Sequence, residues 1–590
     1  MPDLKWWQKG VFYQIYPRSF ADGNGDGMGD FIGMIEKLDY LADLGIDAVW
    51  LSPHFPSPQF DVGYDISDYT DVAPEYGTLE DFKRFLDGAH QRGIRVIIDL
   101  VLNHTSHLHP WFIESRSSRE PSAKRDWYVW RDPAPDGGPP NNWYSPFGGS
   151  AWEYDPATHQ YYYHFFLKEQ PDLNWRNPEV KEAMWDAVRF WLDMGVDGYR
   201  LDAIGTIFEN PDMPDQRSNL TEETMRHIFK RGFPDRTDKK LVELWELVYE
   251  HQVEQDGVHQ LMQELRSVID EYPDRMLVGE NDDVKYHGEG ENELHMVFNF
   301  PLMRTNRLTA TWIRANQQVR LTTLPPGAWP CNTLNNHDST RVYSRYRDGQ
   351  HDDAIARTAL ALMLTLRGTP FLYNGEEIGM TDYRLTDLSL FRDPPAAWFY
   401  NAIVADGMSP DEALVLAADY SRDRCRTPMQ WSSRPNAGFS PEGVQTWLPV
   451  NPNYAQGINV ADQQNDPDSM LNFYKKLLRL RKQTPALIEG DYTPLHETAE
   501  DYFAFLRRSQ ETGQTCLVVL NLSEKSHSLN FDLTSQEARC LFSTHKLSGQ
   551  TVSLEAPEIA PFEIFIGELI SQALRPIDST FAGPTEKART

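Results

Sequence analysis

The chain repeats one pattern of apolar and polar positions. Ile35, Leu38, Leu41 and Leu44 fall on one face of a helix beginning near Asp30, Gly45 stops it, and a short apolar run follows over residues 48–51. A second helix opens on a capping box of Thr78 and Asp81, aligns Phe82, Phe85 and Ala89, ends at Gly93 and leads into a run over 95–102. A third opens on Asn177 with Pro178 at its first position, lines up Val180, Met184, Val188 and Trp191, and leads into 196–201. The three helix–glycine–strand junctions read LADLGIDAVWLSP, QRGIRVIIDLVLNH and LDMGVDGYRLD. With a first strand over 11–16 and further runs over 276–278, 296–300, 333–335 and 370–373, the pattern predicts an α/β protein built on a (β/α)8 barrel.

Two stretches interrupt the repeat. Residues 105–175, rich in Trp, Tyr, Pro, Gly and Ser, are too long for an ordinary barrel loop and predict a subdomain inserted after strand three, over the barrel mouth. A second insertion follows strand eight and runs to about residue 447, before a helix over 469–482 closes the barrel, which therefore occupies 1–104 and 176–487. From residue 488 the period turns to alternation in YFAFL, CLVVLNL, HSLNFDL and FEIFIG, predicting a C-terminal antiparallel β domain over 488–575 and a loose tail over 576–590.

Polar residues gather where the apolar runs end: Gly63-Tyr64-Asp65, Asn103-His104, Arg200-Leu201-Asp202, Gly279-Glu280, Asn336-His337-Asp338, and the later Arg426. In a (β/α)8 barrel chemistry collects at these strand exits. An Arg200–Asp202 ion pair on one strand face is by itself an ordinary structural feature. The same pair also predicts a carboxylate held ionised with a lowered pKa, as a nucleophile requires. Glu280, on another strand after an apolar run, is expected to have a raised pKa and to keep a proton. Two carboxylates tuned in opposite directions are what glycoside hydrolysis uses. His104 and His337 lack metal-site spacing and are read as donors to substrate hydroxyls, so no catalytic metal or other catalytic cofactor is expected.

Composition narrows the partners. Aromatic residues make up 12% of the 590, with 17 Trp and 26 Tyr, enough for a core and for rings that stack on sugars. A formal net charge of −31 argues against nucleic-acid or anionic-membrane partners. The four cysteines, Cys331, Cys425, Cys516 and Cys540, match no disulfide or metal spacing. The opening MPDLKWWQKGVFYQIYPRSF has no signal-type apolar core and no uncharged span reaches membrane length, so a cytoplasmic protein is expected. Nothing in the pattern sets an oligomeric state.

The segment Asp22-Gly-Asn24-Gly-Asp26-Gly27-Met28-Gly-Asp30 resembles the first half of an EF-hand loop, with oxygen ligands at alternate positions and glycine at the sixth. Its twelfth position is Gly33 instead of glutamate, so it is no complete EF-hand. A structural Ca²⁺ or Mg²⁺ held by Asp22, Asn24, Asp26, Met28 and Asp30 is expected; the plainer alternative is a glycine-rich turn with solvated acids.

Taken in order, DLVLNH (99–104), GYRLDAIG (198–205), Glu280 and NNHD (335–338), with QPDLN (170–174) near the end of the insert, resemble the α-amylase family of glycoside hydrolases, in its oligo-1,6-glucosidase and α-glucosidase branch. The resemblance covers essentially the whole chain. It implies Asp202 as nucleophile, Glu280 as general acid/base and Asp338 as the group gripping the sugar in the transition state. His104, Arg200 and His337 would contact glucose, Tyr64 and Phe147 would stack on it, and Asp65 with Arg426 would seal the far end of a one-glucose pocket. It thereby implies a retaining, exo-acting α-glucosidase on small α-glucosides. Ala203 departs from the valine usual in relatives that cut α-1,6 bonds, which favours maltose and short α-1,4 oligosaccharides. Asn374, in Tyr-Asn-Gly-Glu-Glu, also departs from the glutamine or tyrosine usual there. Transglucosylation, trehalose synthase or sucrose isomerase chemistry and oligo-1,6-glucosidase activity are the alternatives within the fold. A catalytically dead relative is disfavoured because all three acids are present.

Overall fold

The computed structural model describes residues 4–117, 119, 123–218 and 239–570. Eight short parallel strands carry the barrel: β1 Phe12–Ile15, β2 Ala48–Leu51, β3 Arg95–Leu100, β4 Gly198–Leu201, β5 Met276–Gly279, β6 Met296–Val297, β7 Cys331–Thr333 and β8 Thr369–Tyr373. Their order is β7-β8-β1-β2-β3-β4-β5-β6, and a parallel bridge from Phe298 to Cys331 joins the two ends into a closed (β/α)8 barrel. Alternation along the strands divides two cores. Phe12, Trp50, Ile97, Met276, Val278 and Phe371 plug the interior, while Tyr13, Val49, Ile98, Tyr199 and Leu277 pack outward under the helices. Both faces are thus covered, and this is why the strands read as continuous apolar runs.

The helices start and stop where their side chains dictate. Thr78 and Asp81 form the reciprocal capping box of Leu79–Gln91, Asn177 caps Pro178–Met194, and left-handed Gly195 ends it. Two strands differ from the sequence reading. The run 296–300 yields only Met296–Val297, because Pro301 seats Phe300 at the start of a helical turn, Phe300–Met303. The seventh strand lies two residues earlier than 333–335, since Thr333 Oγ1 turns to donate to the Asn335 carbonyl and ends the strand there.

Between β3 and Pro178–Met194, a three-stranded antiparallel sheet, Trp130–Arg131, Trp152–Asp155 and Gln160–Tyr163, stands over the strand exits. The C-terminal domain is a six-stranded antiparallel sheet. The segment HSLNFDL supplies only the two-residue strand His527–Ser528, while Glu537–Ser543, not anticipated from the sequence, pairs with Ile564–Leu569. The tail expected over 576–590 lies outside the described residues. All four cysteines are free and buried, and no helix among the described residues is long and apolar enough to cross a membrane.

Candidate active site

Strand register brings the acids together. Asp99 and Arg200 are partners in the β3–β4 ladder, and Leu201 pairs with Gly279 in β4–β5. The ladder continues one step past each strand, with Asp202 N–H donating to Leu100 O at 3.0 Å and Glu280 N–H to Leu201 O at 2.8 Å. Asp202 and Glu280 are therefore neighbours at adjoining strand exits.

One buried guanidinium serves three carboxylates. Arg200 Nη1 lies 2.6 Å from Asp99 Oδ1 and 2.6 Å from Asp202 Oδ1, and Nη2 lies 2.8 Å from Glu280 Oε2. The net lowering expected for the Asp202 pKa is not found, although Arg200 acts in that direction. Burial pushes Asp202 up to about 7 and Glu280 up to about 7, with Arg200 opposing in each case, because a single positive charge is divided among the three. Asp99, pushed up to about 6 by burial against the same arginine, also accepts from Trp50 Nε1–H at 3.1 Å and Tyr64 O–H at 3.2 Å. Both donors to Glu280, Arg200 and the Ala203 N–H at 2.9 Å, fall on Oε2, so Oε1 is the oxygen able to carry a proton. Ala203 sits in the left-handed region at φ 41°, a conformation costing of order 1–3 kcal/mol that aims its N–H at Glu280.

Asp338 is tuned the other way. Burial alone would raise its pKa, but the charges around it, Arg426 and Arg422 beside the His337 ring, hold it well below the usual carboxylate range. Burial keeps the His337 ring neutral, so the arginines carry this effect: Arg426 Nη2 stands 2.5 Å and Arg422 Nη1 3.3 Å from Asp338 Oδ1. Tyr64 stacks on His337 at 5.5 Å between centroids, and Phe147 lies under Arg422 at 5.3 Å. His104, its pKa pushed down to about 4 by burial, contacts Asn103 Oδ1 through Nδ1 at 2.9 Å and Gln170 Nε2 through Nε2 at 2.9 Å.

The expected Asp65–Arg426 pair does not form. Asp65 accepts from Ser57 O–H and from the Phe60 and Asp61 N–H groups, serving its own loop, and burial pushes it up to about 6. Arg426 instead binds Asp338 and the His337 carbonyl. The ion pair that forms is Asp61 with Arg422, at 3.0 Å, and Arg422 also meets Asp393 at 2.7 Å. Gln170, from the QPDLN motif, donates to Asp61 Oδ2 at 3.1 Å and reaches His104, tying the inserted subdomain to this pair. Asp61, Asp99, Gln170, Asp393 and Arg422 thus bond to the candidate residues or to one another without having been assigned from the sequence; for Asp99 and Gln170 the signal was present, as members of the motifs quoted.

The loop over 22–30 folds into successive side-chain-to-backbone turns. The Asp22 carboxylate accepts from the Gly25 and Gly27 N–H groups at 2.6 and 2.8 Å, Asn24 Oδ1 from Asp26 N–H at 2.9 Å, and Asp26 Oδ1 from Met28 N–H at 2.9 Å. Asp30 caps the helix Phe31–Glu36 through Gly33 N–H and also accepts from the Gly23 and Asn24 N–H groups. Its pKa is raised by burial and by the neighbouring Asp22 charge, against those N–H bonds. Hard oxygen donors with crowded negative charge suit a divalent cation. The carboxylates of Asp22, Asp26 and Asp30 do not, however, close within 4.8 Å of one another, so any ion here would also need Asn24 and a backbone carbonyl.

A barrel with buried, mutually tuned carboxylates at its strand exits defines a glycosidase-type site. A model of the α-amylase catalytic domain matches residues 14–490. An oligo-1,6-glucosidase of Parageobacillus thermoglucosidasius is 41% identical over 88% of this chain and 91% of its own length. A probable α-glucosidase of Rhizobium meliloti (strain 1021) is 41% identical over 89% and 91%. The crystal structure of the trehalulose synthase MutB from Pseudomonas mesoacidophila MX-45 superposes with a TM-score of 0.84 at 37% identity, covering 96% of this chain and all of that one. The chain belongs to the α-amylase family and is a glycoside hydrolase of its oligo-1,6-glucosidase and α-glucosidase branch.

Proposed function

We propose that the enzyme is a retaining, exo-acting α-glucosidase that releases α-glucose from the non-reducing end of maltose and short α-1,4 oligosaccharides. The observation that carries this reading is the Arg200 guanidinium bonded at once to Asp202 and Glu280. It keeps the two carboxylates within the span of one planar group, which fits the close spacing of a double displacement better than the wider gap an inverting water needs.

In this reading Asp202 attacks C1 through Oδ2, the oxygen that Arg200 Nη1 does not hold. Glu280 gives the proton on Oε1 to the departing glycosidic oxygen, so the C1–O bond breaks as the C1–Asp202 ester forms. The free glucose or shortened chain leaves. Glu280, now ionised, takes a proton from water, whose oxygen attacks C1 and expels Asp202, giving α-glucose and restoring both groups. Asp338, held ionised, accepts from sugar hydroxyls and stabilises positive charge at the ring. The Asp61–Arg422–Asp393 cluster closes the pocket beyond the first glucose, which supports attack at chain ends. The small Ala203 beside Glu280 supports the α-1,4 preference.

Transfer to a sugar hydroxyl in place of water is the same second step, and the likeness to a trehalulose synthase supports it as the second reading. Separate incubations with maltose, isomaltose, trehalose and sucrose, with Asp202→Asn as control, distinguish these. Glucose from maltose with little from isomaltose is expected. Predominant isomaltose cleavage overturns the linkage assignment, and conversion of maltose mainly to trehalose overturns hydrolysis.

The same proposal places a structural Ca²⁺ or Mg²⁺ at Asp22, Asn24, Asp26, the Met28 carbonyl and Asp30. Its function is to neutralise the Asp22–Asp30 crowding. Adding Ca²⁺ to chelator-treated enzyme is expected to raise the unfolding midpoint, and an unchanged midpoint contradicts the site.

A further inference from the structure

We infer that Gln14 is a positioning residue that fixes His337 as its Nε2–H tautomer and so sets it as a hydrogen-bond donor in the sugar pocket. Gln14 lies on β1 in register with Trp50 of β2 and Tyr373 of β8, and its side chain is buried. Its Nε2 stands 2.9 Å from Ser52 Oγ and 2.7 Å from His337 Nδ1. The histidine ring is clamped between Tyr16 and Tyr64, each with its centroid 5.5 Å away. Stacking fixes where the ring lies but not which nitrogen is protonated.

The surroundings decide that. His337 Nε2 faces Asp338 Oδ2 at 3.3 Å and Tyr64 Oη at 2.7 Å. Tyr64 Oη in turn faces Asp99 Oδ2 at 3.2 Å. Asp338 is ionised, held so by two arginines, and cannot donate. The tyrosine proton is drawn to Asp99, leaving a lone pair toward the histidine. A bare Nε2 would then confront two acceptors, so Nε2 carries the hydrogen. Burial keeps the ring neutral, which leaves Nδ1 a bare acceptor in need of a donor. The Gln14 amide supplies it, giving one N–H to Nδ1 and the other to Ser52. Turning that amide over would set its carbonyl oxygen against the Nδ1 lone pair. The chain of donors therefore runs Gln14, His337, Tyr64, Asp99, and its single Nε2–H, given to Tyr64 Oη without substrate, is shared with a sugar hydroxyl that arrives beside Asp338.

The inference rests on His337 as a sugar contact, so the test separates the tautomer from the kinetics. In ¹⁵N-histidine-labelled enzyme without substrate, the His337 resonances, assigned by their loss in His337→Gln, are expected to show an unprotonated Nδ1 and a protonated Nε2. Gln14→Met, close in shape but without a donor, is expected to mix the tautomers and lower kcat/KM about tenfold, the effect of one lost hydrogen bond. Gln14→Glu, which sets an acceptor against Nδ1, is expected to protonate Nδ1 and provides the reading if the methionine variant fails to fold. Ser52→Ala disturbs the same amide without touching the ring and is expected to keep the His337 signature. A protonated Nδ1 in the wild type overturns the inference whatever the enzyme cleaves. An unprotonated Nδ1 with kcat/KM unaltered in Gln14→Met overturns its part in the reaction and leaves the substrate reading standing.

Discussion

At the scale of single residues, charge placement distinguishes what composition could not. Asp61 and Asp65 stand four apart, as do Arg422 and Arg426, so the sequence offers more than one sealing pair of the same types. The pair that forms is Asp61 with Arg422. Arg422→Met leaves Asp61 and Asp393 buried without their shared cation, and kcat/KM for maltose is expected to fall about a hundredfold or more. Asp65→Asn, which touches only its own loop, is expected to cost far less, and the opposite ranking in steady-state kinetics would restore the Asp65 assignment. The acids of the proposed mechanism were legible as a group because each follows the end of a barrel strand. The division of Arg200 among three carboxylates was not, since Asp99 lies inside the run that reads as strand core.

That division has a pH consequence. Asp202 and Glu280 are both raised to about 7, and the reaction needs the first ionised and the second protonated, so kcat/KM is expected to peak near that value and fall on either side of it. The folded chain also holds a proton that the unfolded chain releases near pH 4, so stability is expected to decline between about 4 and 7 and then level off. Asp338 has the opposite sign: its contribution is present above the ordinary carboxylate range and is lost only in strong acid. Glu280→Gln should reduce the fall in unfolding midpoint between pH 5 and pH 7.5, and an undiminished fall would place the proton elsewhere.

At the scale of elements, strand exits position the chemistry and strand register spaces it. Gly198 opens β4 at φ 151°, and a Cβ there would stand 2.1 Å from the Met276 carbonyl of β5. Gly198→Ala is therefore expected to force apart the two strands that carry Asp202 and Glu280, destabilising by about 3 kcal/mol or more. A midpoint within a degree of wild type would show that the junction yields. The helix–glycine–strand units were legible because helical spacing, caps and continuous apolar runs agree. Strands six and seven were less so: β6 has two residues, and its apolar run passes directly into a helical turn at Pro301. A short strand and a buried turn carry the same composition, and only hydrogen bonding separates them.

At the scale of the whole molecule, the C-terminal sheet is tied to the barrel by a buried arginine. Arg507 Nη1 donates to the Thr365 carbonyl at 2.5 Å, at the end of the helix Asp352–Thr365, while Arg481 of the barrel's closing helix donates to the Leu364 and Gly368 carbonyls beside it. The inserted subdomain is tied from the other side through Gln170. The inserted subdomain thus meets the barrel at its strand exits and the C-terminal sheet meets it at the opposite end, while at the mouth the proposed two-step displacement has one guanidinium ordering both acids. The most direct test is proton NMR of the glucose released from an aryl α-glucoside, where the transferred unit is the only sugar formed, read before mutarotation sets in. The α anomer is predicted to appear first; β-glucose appearing first would contradict the covalent intermediate on Asp202 and with it the roles given to both acids.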